Sequence, residues 1–168
     1  DLWLENYTFP AEKKFQNKRY SEQKAKQFFQ RLIDVGTLGG ACYSSIHEHA
    51  LEHAFKYVRG DFVIGNVLMT MNSPSYLTQS SQQAVDIVAR MSQKHGKKYA
   101  LTPRFAIATD PKTMQDSAQK IKGTGAYIQT HLSETKGEIA AVKDIYRDQP
   151  GFEKAKNYTE IYHKAKML

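Results

Sequence analysis

Residues 62–69 read Phe62-Val63-Ile64-Gly65-Asn66-Val67-Leu68-Met69, an almost unbroken apolar run. Its length and β-branched content predict a strand, the clearest in the chain. Turn signals bound it, with Gly60 before and Asn72 and Pro74 after. A helical pattern lies on each side. His47 to Tyr57 reads as one helix. Gln79 to Lys94 reads as a longer one, with Ala84, Val85, Ile87, Val88 and Met91 as its apolar stripe. A helix–strand–helix order of this kind is the repeating unit of a parallel sheet.

The same alternation continues outward. Ser21 to Asp34 predicts a helix with Phe28, Phe29, Leu32 and Ile33 on one side, broken at Gly36-Thr37. Residues 38–45 predict a short buried strand, Lys98 to Ile107 a third strand and Ala126 to His131 a fourth. Between the last two, Asp110-Pro111 opens a helix with an N-cap acid and a proline at the first position, and that helix ends at Gly123 or Gly125. A helix follows the fourth strand to about Tyr146. A linker with Pro150-Gly151 and a last short helix from Asn157 close the chain. The fold class expected is α/β, with about four parallel strands and outer helices. A complete eight-stranded barrel takes ~250 residues. From periodicity alone, part of such a barrel and a small doubly wound domain fit equally well.

Composition narrows the function. Hydrophobic residues make up 40% and charged residues 24% of 168, a globular balance. No apolar run approaches the ~20 residues of a membrane span. The chain opens Asp1-Leu2-Trp3-Leu4-Glu5, without a signal-peptide core or an initiator methionine, so a start inside a longer protein is expected. Its one cysteine, Cys42, leaves no internal disulfide framework, reads as a structural thiol and fits a reducing compartment, here the cytoplasm. The net charge of +7 gathers at Lys13, Lys14, Lys18, Arg19, Lys24 and Lys26, but Glu12, Glu22 and several glutamines interleave with them. That pattern is a solvated helix face, and no nucleic-acid signature accompanies it.

Two segments carry chemistry. In Tyr127-Ile128-Gln129-Thr130-His131-Leu132-Ser133-Glu134, a strand ends on a histidine, with a glutamate three residues on. A neutral imidazole is a zinc ligand, and a nearby carboxylate can move a proton to and from an attacking water. The structural alternative is that Glu134 serves the dipole of the helix it opens, with Thr135 and Glu138 as a capping box. In Thr102-Pro103-Arg104-Phe105, the guanidinium can donate to a heterocycle carbonyl while the aromatic ring stacks on its face. Alternatively, Arg104 is ion-paired and Phe105 belongs to the core. A third candidate, His49-Ala50-Leu51-Glu52-His53, matches the spacing of inverted zinc peptidases. It lacks an evident third ligand and is expected on an outer helix.

Taken together, these segments resemble the guanine deaminase family of amidohydrolases. The resemblance rests on Trp3 to Glu12, Ala41-Cys42-Tyr43, Ile46-His47, Thr102 to Ala106, Ile128 to Glu134, Glu138 to Val142 and Asn157 to Tyr162. It implies a zinc-dependent (β/α) barrel that hydrolyses guanine to xanthine and ammonia. It implies that His131 is a zinc ligand, that Glu134 shuttles the proton, that Arg104 and Phe105 hold the purine, and that Trp3 and Leu4 wall the pocket. The family's H-x-H metal pair should precede Asp1, and a further histidine and an aspartate should follow Leu168. The family's threonine-rich turn is altered at Thr37-Leu38-Gly39-Gly40.

Residues 1–168 are therefore expected to be a central fragment of the barrel. Residues 1–20 would line the pocket, and 21–168 would form the helix–strand units. Alone, the fragment should be inactive, bind zinc weakly or not at all, and self-associate into a homo-oligomer. His131, Glu134 and Arg104 should meet at the carboxyl edge of the sheet. The competing readings are a related amidohydrolase acting on another amino- or chloro-substituted ring, and a noncatalytic basic binding module.

Overall fold

The structure, a computed structural model, describes residues 2–168, so Asp1 of the opening segment lies outside the described residues. The opening segment is a π-turn at Leu4–Thr8, then α1 (Phe9–Lys13) and a 3-10 turn at Lys14–Gln16. The repeating units follow: α2 (Lys18–Asp34), β1 (Gly39–Ser44), α3 (Glu48–Tyr57), β2 (Asp61–Leu68), α4 (Ser81–His95), β3 (Ala100–Pro103), α5 (Pro111–Lys120), β4 (Tyr127–Ile128), α6 (Lys136–Tyr146) and α7 (Tyr158–Lys164).

The four strands form one sheet in the order β1-β2-β3-β4, and every pair is parallel. This order decides between the two topologies. A doubly wound sheet reverses its strand order at a switch point. Here the order never reverses, so each right-handed crossover steps the same way and lays its helix on the same face. That is an arc of a (β/α) barrel. The convex side carries the main core. Phe62, Ile64, Leu68 and Leu101 meet Phe29, Leu51, Val88, Met91 and Met114 from the helices. Each such side chain contributes roughly 1.5–3 kcal/mol when fully buried. Close approach of the strands also fixes Gly65. A Cβ there would lie 1.9 Å from Thr102 Oγ1 and 2.1 Å from the Ala100 carbonyl oxygen.

Several boundaries differ from the sequence expectation. The third strand is shorter than 98–107, because a 3-10 turn at Gly96–Lys98 precedes it and the chain leaves the ladder after Pro103. The fourth is only Tyr127–Ile128, although Gln129 N still donates to the Leu101 carbonyl at 3.0 Å and His131 N to that of Arg104 at 3.2 Å. The helix after it starts at Lys136, not at Glu134, with Thr135 as N-cap. α2 starts earlier, at Lys18, because the Asn17 side chain caps it.

The outer strands are open on their far sides. In β1, Gly39, Gly40, Ala41 and Tyr43 are exposed, and nearby Val35 and Leu38 are 57% and 58% exposed. In β4, Tyr127 is 54% exposed.

Asp110 ties three elements together. It caps α5 by accepting from Thr113 N at 2.9 Å, and it accepts from Thr70 Oγ1 at 2.6 Å and from Ser81 Oγ at 3.1 Å. Burial pushes its carboxyl up, but the hydrogen bonds from Thr113, Thr70 and Ser81 outweigh that and hold it below the ordinary value of 3.8. Its stabilising contribution is thus complete above that value and is lost as pH falls through the depressed one. Asp110→Ala should lower stability by about 2–4 kcal/mol in urea unfolding at neutral pH. The variant should also lose less stability than the wild type on acidification.

Candidate active site

A cavity of about 760 Å³ runs along α2, past Lys24, Phe28 and Arg31, to the carboxyl ends of the strands, where Glu12, Tyr43, Ser44, Arg104 and His131 line it. His131 and Arg104 are joined directly. The His131 Nδ1 lies 2.7 Å from the Arg104 carbonyl oxygen. A carbonyl only accepts, so Nδ1 carries the proton and Nε2 keeps its lone pair. A histidine that binds a metal is commonly held in this tautomer. The Tyr43 ring covers the imidazole at a centroid distance of 4.6 Å.

Tyrosines from the last two helices fix the loops that present these residues. Tyr162 OH donates to the His131 carbonyl at 3.1 Å and lies 2.9 Å from Thr130 Oγ1. Tyr146 OH is shared between the carbonyls of Ala106 and Thr109, at 3.0 and 3.2 Å. Tyr158 OH accepts from Ala106 N at 3.1 Å. Their burial raises the pKa of all three hydroxyls, so they remain protonated at neutral pH.

Glu134, unlike His131 and Arg104, does not lie on the cavity wall. It is exposed and follows Ser133, whose φ of 59° turns the chain sharply. Its backbone N donates to Glu138 Oε2 at 2.7 Å, while Thr135 Oγ1 accepts from Glu138 N at 3.0 Å. The expected capping box is therefore displaced, since Glu138 reaches one residue past the cap. Burial raises the pKa of the Tyr43 hydroxyl, with smaller contributions from Tyr162 and from the charge of Glu134.

Arg104 is ion-paired. Its Nη1 donates to both carboxylate oxygens of Glu12 at 2.9 Å and contacts Met69 Sδ at 3.6 Å. The guanidinium lies over the Phe9 ring, 5.4 Å from its centroid. Burial pushes the Glu12 carboxyl up, against the opposing pull of Arg104. Phe105, Trp3 and Leu4 do not lie on the cavity wall. Phe105 packs beside Ile46, Val67, Met69, Leu77 and Ala108, and Trp3 is 62% exposed.

The histidine cluster has other duties. His49 Nε2 lies 2.8 Å from the Phe15 carbonyl, and His53 Nδ1 lies 3.0 Å from Ser21 Oγ. Glu52 instead pairs with Lys94 on α4. The two histidines fasten α3 to the segment before it. Among the described residues, no group of three or more His, Cys, Asp or Glu could hold a metal ion. Cys42 is a free, half-buried thiol whose pKa burial raises, which keeps it unreactive. No helix is long and apolar enough to cross a membrane, among the described residues.

No protein-family model matches the chain. Guanine deaminase of Escherichia coli is 29% identical over 170 residues, covering 96% of this chain and 37% of that protein. Guanine deaminase of Rattus norvegicus is 33% identical over 177 residues, covering 99% of this chain and 37% of its own length. The chain thus spans about 37% of the length of the curated relatives it matches. In solved structures, guanine deaminase from C. acetobutylicum with bound guanine superposes with a TM-score of 0.86 at 29% identity, covering 97% of this chain and 39% of that one. Atrazine chlorohydrolase from Arthrobacter aurescens shares the fold, with a TM-score of 0.75 at 12% identity over 98% of this chain and 40% of its own.

Proposed function

We propose that this chain is the central part of a guanine deaminase and supplies one wall of its active site. The observation that carries this is the meeting of His131 and Arg104 at one cavity through a 2.7 Å hydrogen bond, on a barrel arc similar to guanine deaminases along nearly its whole length. His131 fits one position of a zinc site, because Nε2 is left as an acceptor. A catalytic zinc takes about three protein ligands, so the described residues do not complete the site by themselves. When bound, zinc supplies an acidified water to such a hydrolase.

The chain's own residues do the rest. Arg104 donates through its remaining N–H groups to the ring carbonyl of guanine. Glu134 takes a proton from the attacking water and returns it to the amine that leaves. Phe105, Trp3 and Leu4 shape the purine pocket in the closed barrel, with residues 1–20 as its lining segment and 21–168 as the barrel units. The free thiol of Cys42 suits a reducing compartment, which we take to be the cytoplasm. The open edges at β1 and β4 favour self-association, because unpaired strand edges flanked by exposed apolar side chains seek partners.

A chlorotriazine hydrolase is the second reading, since atrazine chlorohydrolase shares the fold. The two separate by assay on a polypeptide that carries this segment within a complete barrel. Ammonia released from guanine, with no chloride released from a chlorotriazine, is the expected result. The reverse pattern would move the segment to the other substrate class.

A further inference from the structure

The Glu12–Arg104 pair spans 92 residues of sequence and brings a carboxylate into the cavity beside the guanidinium. We propose that Glu12 is a specificity-determining residue, and that with Arg104 it reads the cis-amide edge of a 6-oxopurine, the C6 carbonyl and the adjacent N1–H. The proposal deepens the guanine deaminase reading and rests on it.

The pair is held rigidly. Nη1 sits 2.9 Å from each Glu12 oxygen, Phe9 lies against the guanidinium, and the two side chains are only 14% and 25% exposed. Arg104 meets Glu12 and Met69 through Nη1, so Nε and Nη2 remain as donors. Each Glu12 oxygen has a second lone pair, and an ionised carboxylate has no donor. The cavity therefore presents a fixed donor next to a fixed acceptor, both on the wall that also carries His131.

A cis-amide is the complement of that pattern. Its carbonyl accepts from Arg104 and its N–H donates to Glu12. A 6-aminopurine inverts both positions. Its exocyclic amine would face the guanidinium, and its bare N1 would face the carboxylate. Sites built around hydrogen bonds discriminate strongly against ligands that leave their polar groups unpaired. A hydrogen bond to a charged group is worth enough that losing one weakens binding roughly tenfold or more.

Ligand-observed NMR titration of a folded, zinc-loaded polypeptide that carries this segment in a closed barrel tests this with soluble nucleobases. The probes are hypoxanthine, which has the cis-amide; 1-methylhypoxanthine, in which a methyl group replaces the N1 hydrogen; and adenine, which inverts the edge. Hypoxanthine should bind roughly tenfold tighter than either of the others. Glu12→Gln should narrow that gap, because the amide replaces one acceptor oxygen with a donor. The wild-type comparison of the first two ligands needs no variant and stands even if Glu12→Gln misfolds. Equal affinity for hypoxanthine and its 1-methyl derivative would overturn the role of Glu12 while leaving purine binding intact. Failure of the closed, zinc-loaded barrel to bind any of the purines would overturn both this proposal and the guanine reading beneath it.

Discussion

The purified 168-residue chain is expected to release no ammonia from guanine and to retain little zinc after dialysis. Ligand count is the reason. A catalytic zinc site takes about three protein ligands around an open position. Among the described residues no cluster of three or more metal-binding side chains exists, and His131 is the one histidine on the cavity wall. A single imidazole does not retain the ion, and Glu134 then has no acidified water to deprotonate. The same sample should self-associate through its open edges, seen as a mass above 19.2 kDa by light scattering. Zinc at one equivalent per chain, with guanine turnover free of contaminating enzyme, would mean the active site lies elsewhere. His47, His49 and His53 would then be the first residues to test. A monodisperse monomer at high concentration would count against the open barrel arc.

Most of the fold was legible because it is written in local patterns. The apolar run at 62–69 is β2, shifted by one residue, and the stripe Ala84, Val85, Ile87, Val88 and Met91 is the buried face of α4. Periodicity could not choose between a barrel arc and a doubly wound sheet, since it carries no information on strand order. That required the pairing itself. The site was legible only in its strand-end residues. In the sequence Glu12 is one charge among many on a basic segment, because nothing local announces a partner 92 residues away. Tyr43 and Tyr162 escaped for the same reason. They reach His131 from β1 and α7, and only tertiary packing brings them there. The His49–His53 spacing shows the converse error that local reading invites. It matches a metal motif on one helix, yet both rings are engaged in fastening α3 to its neighbours.

In a complete barrel, Glu134→Gln should reduce guanine turnover by about 10²–10⁴-fold, the range for removing a general acid–base group. The change keeps the size and polarity of the side chain and removes only its ability to carry the proton. The fold should be unaffected, because Glu134 is exposed and its backbone N, not its side chain, makes the bond to Glu138. Zinc content should also be unchanged, because the zinc-binding role is proposed for His131 and not for Glu134. Loss of metal in the variant, measured by atomic absorption, would instead make Glu134 a ligand or a structural acid.

The central claim is that the strand ends of this segment build a guanine-deaminating site. Its most direct test is steady-state ammonia release from guanine by a folded, zinc-loaded polypeptide that carries the segment in a closed barrel. Wild type should be compared with Glu134→Gln and Arg104→Ala. The account predicts turnover by the wild type, its near abolition in Glu134→Gln, and a raised KM with largely preserved kcat in Arg104→Ala. A zinc-loaded wild type that leaves guanine untouched, or a Glu134→Gln variant that deaminates it at the wild-type rate, would contradict it.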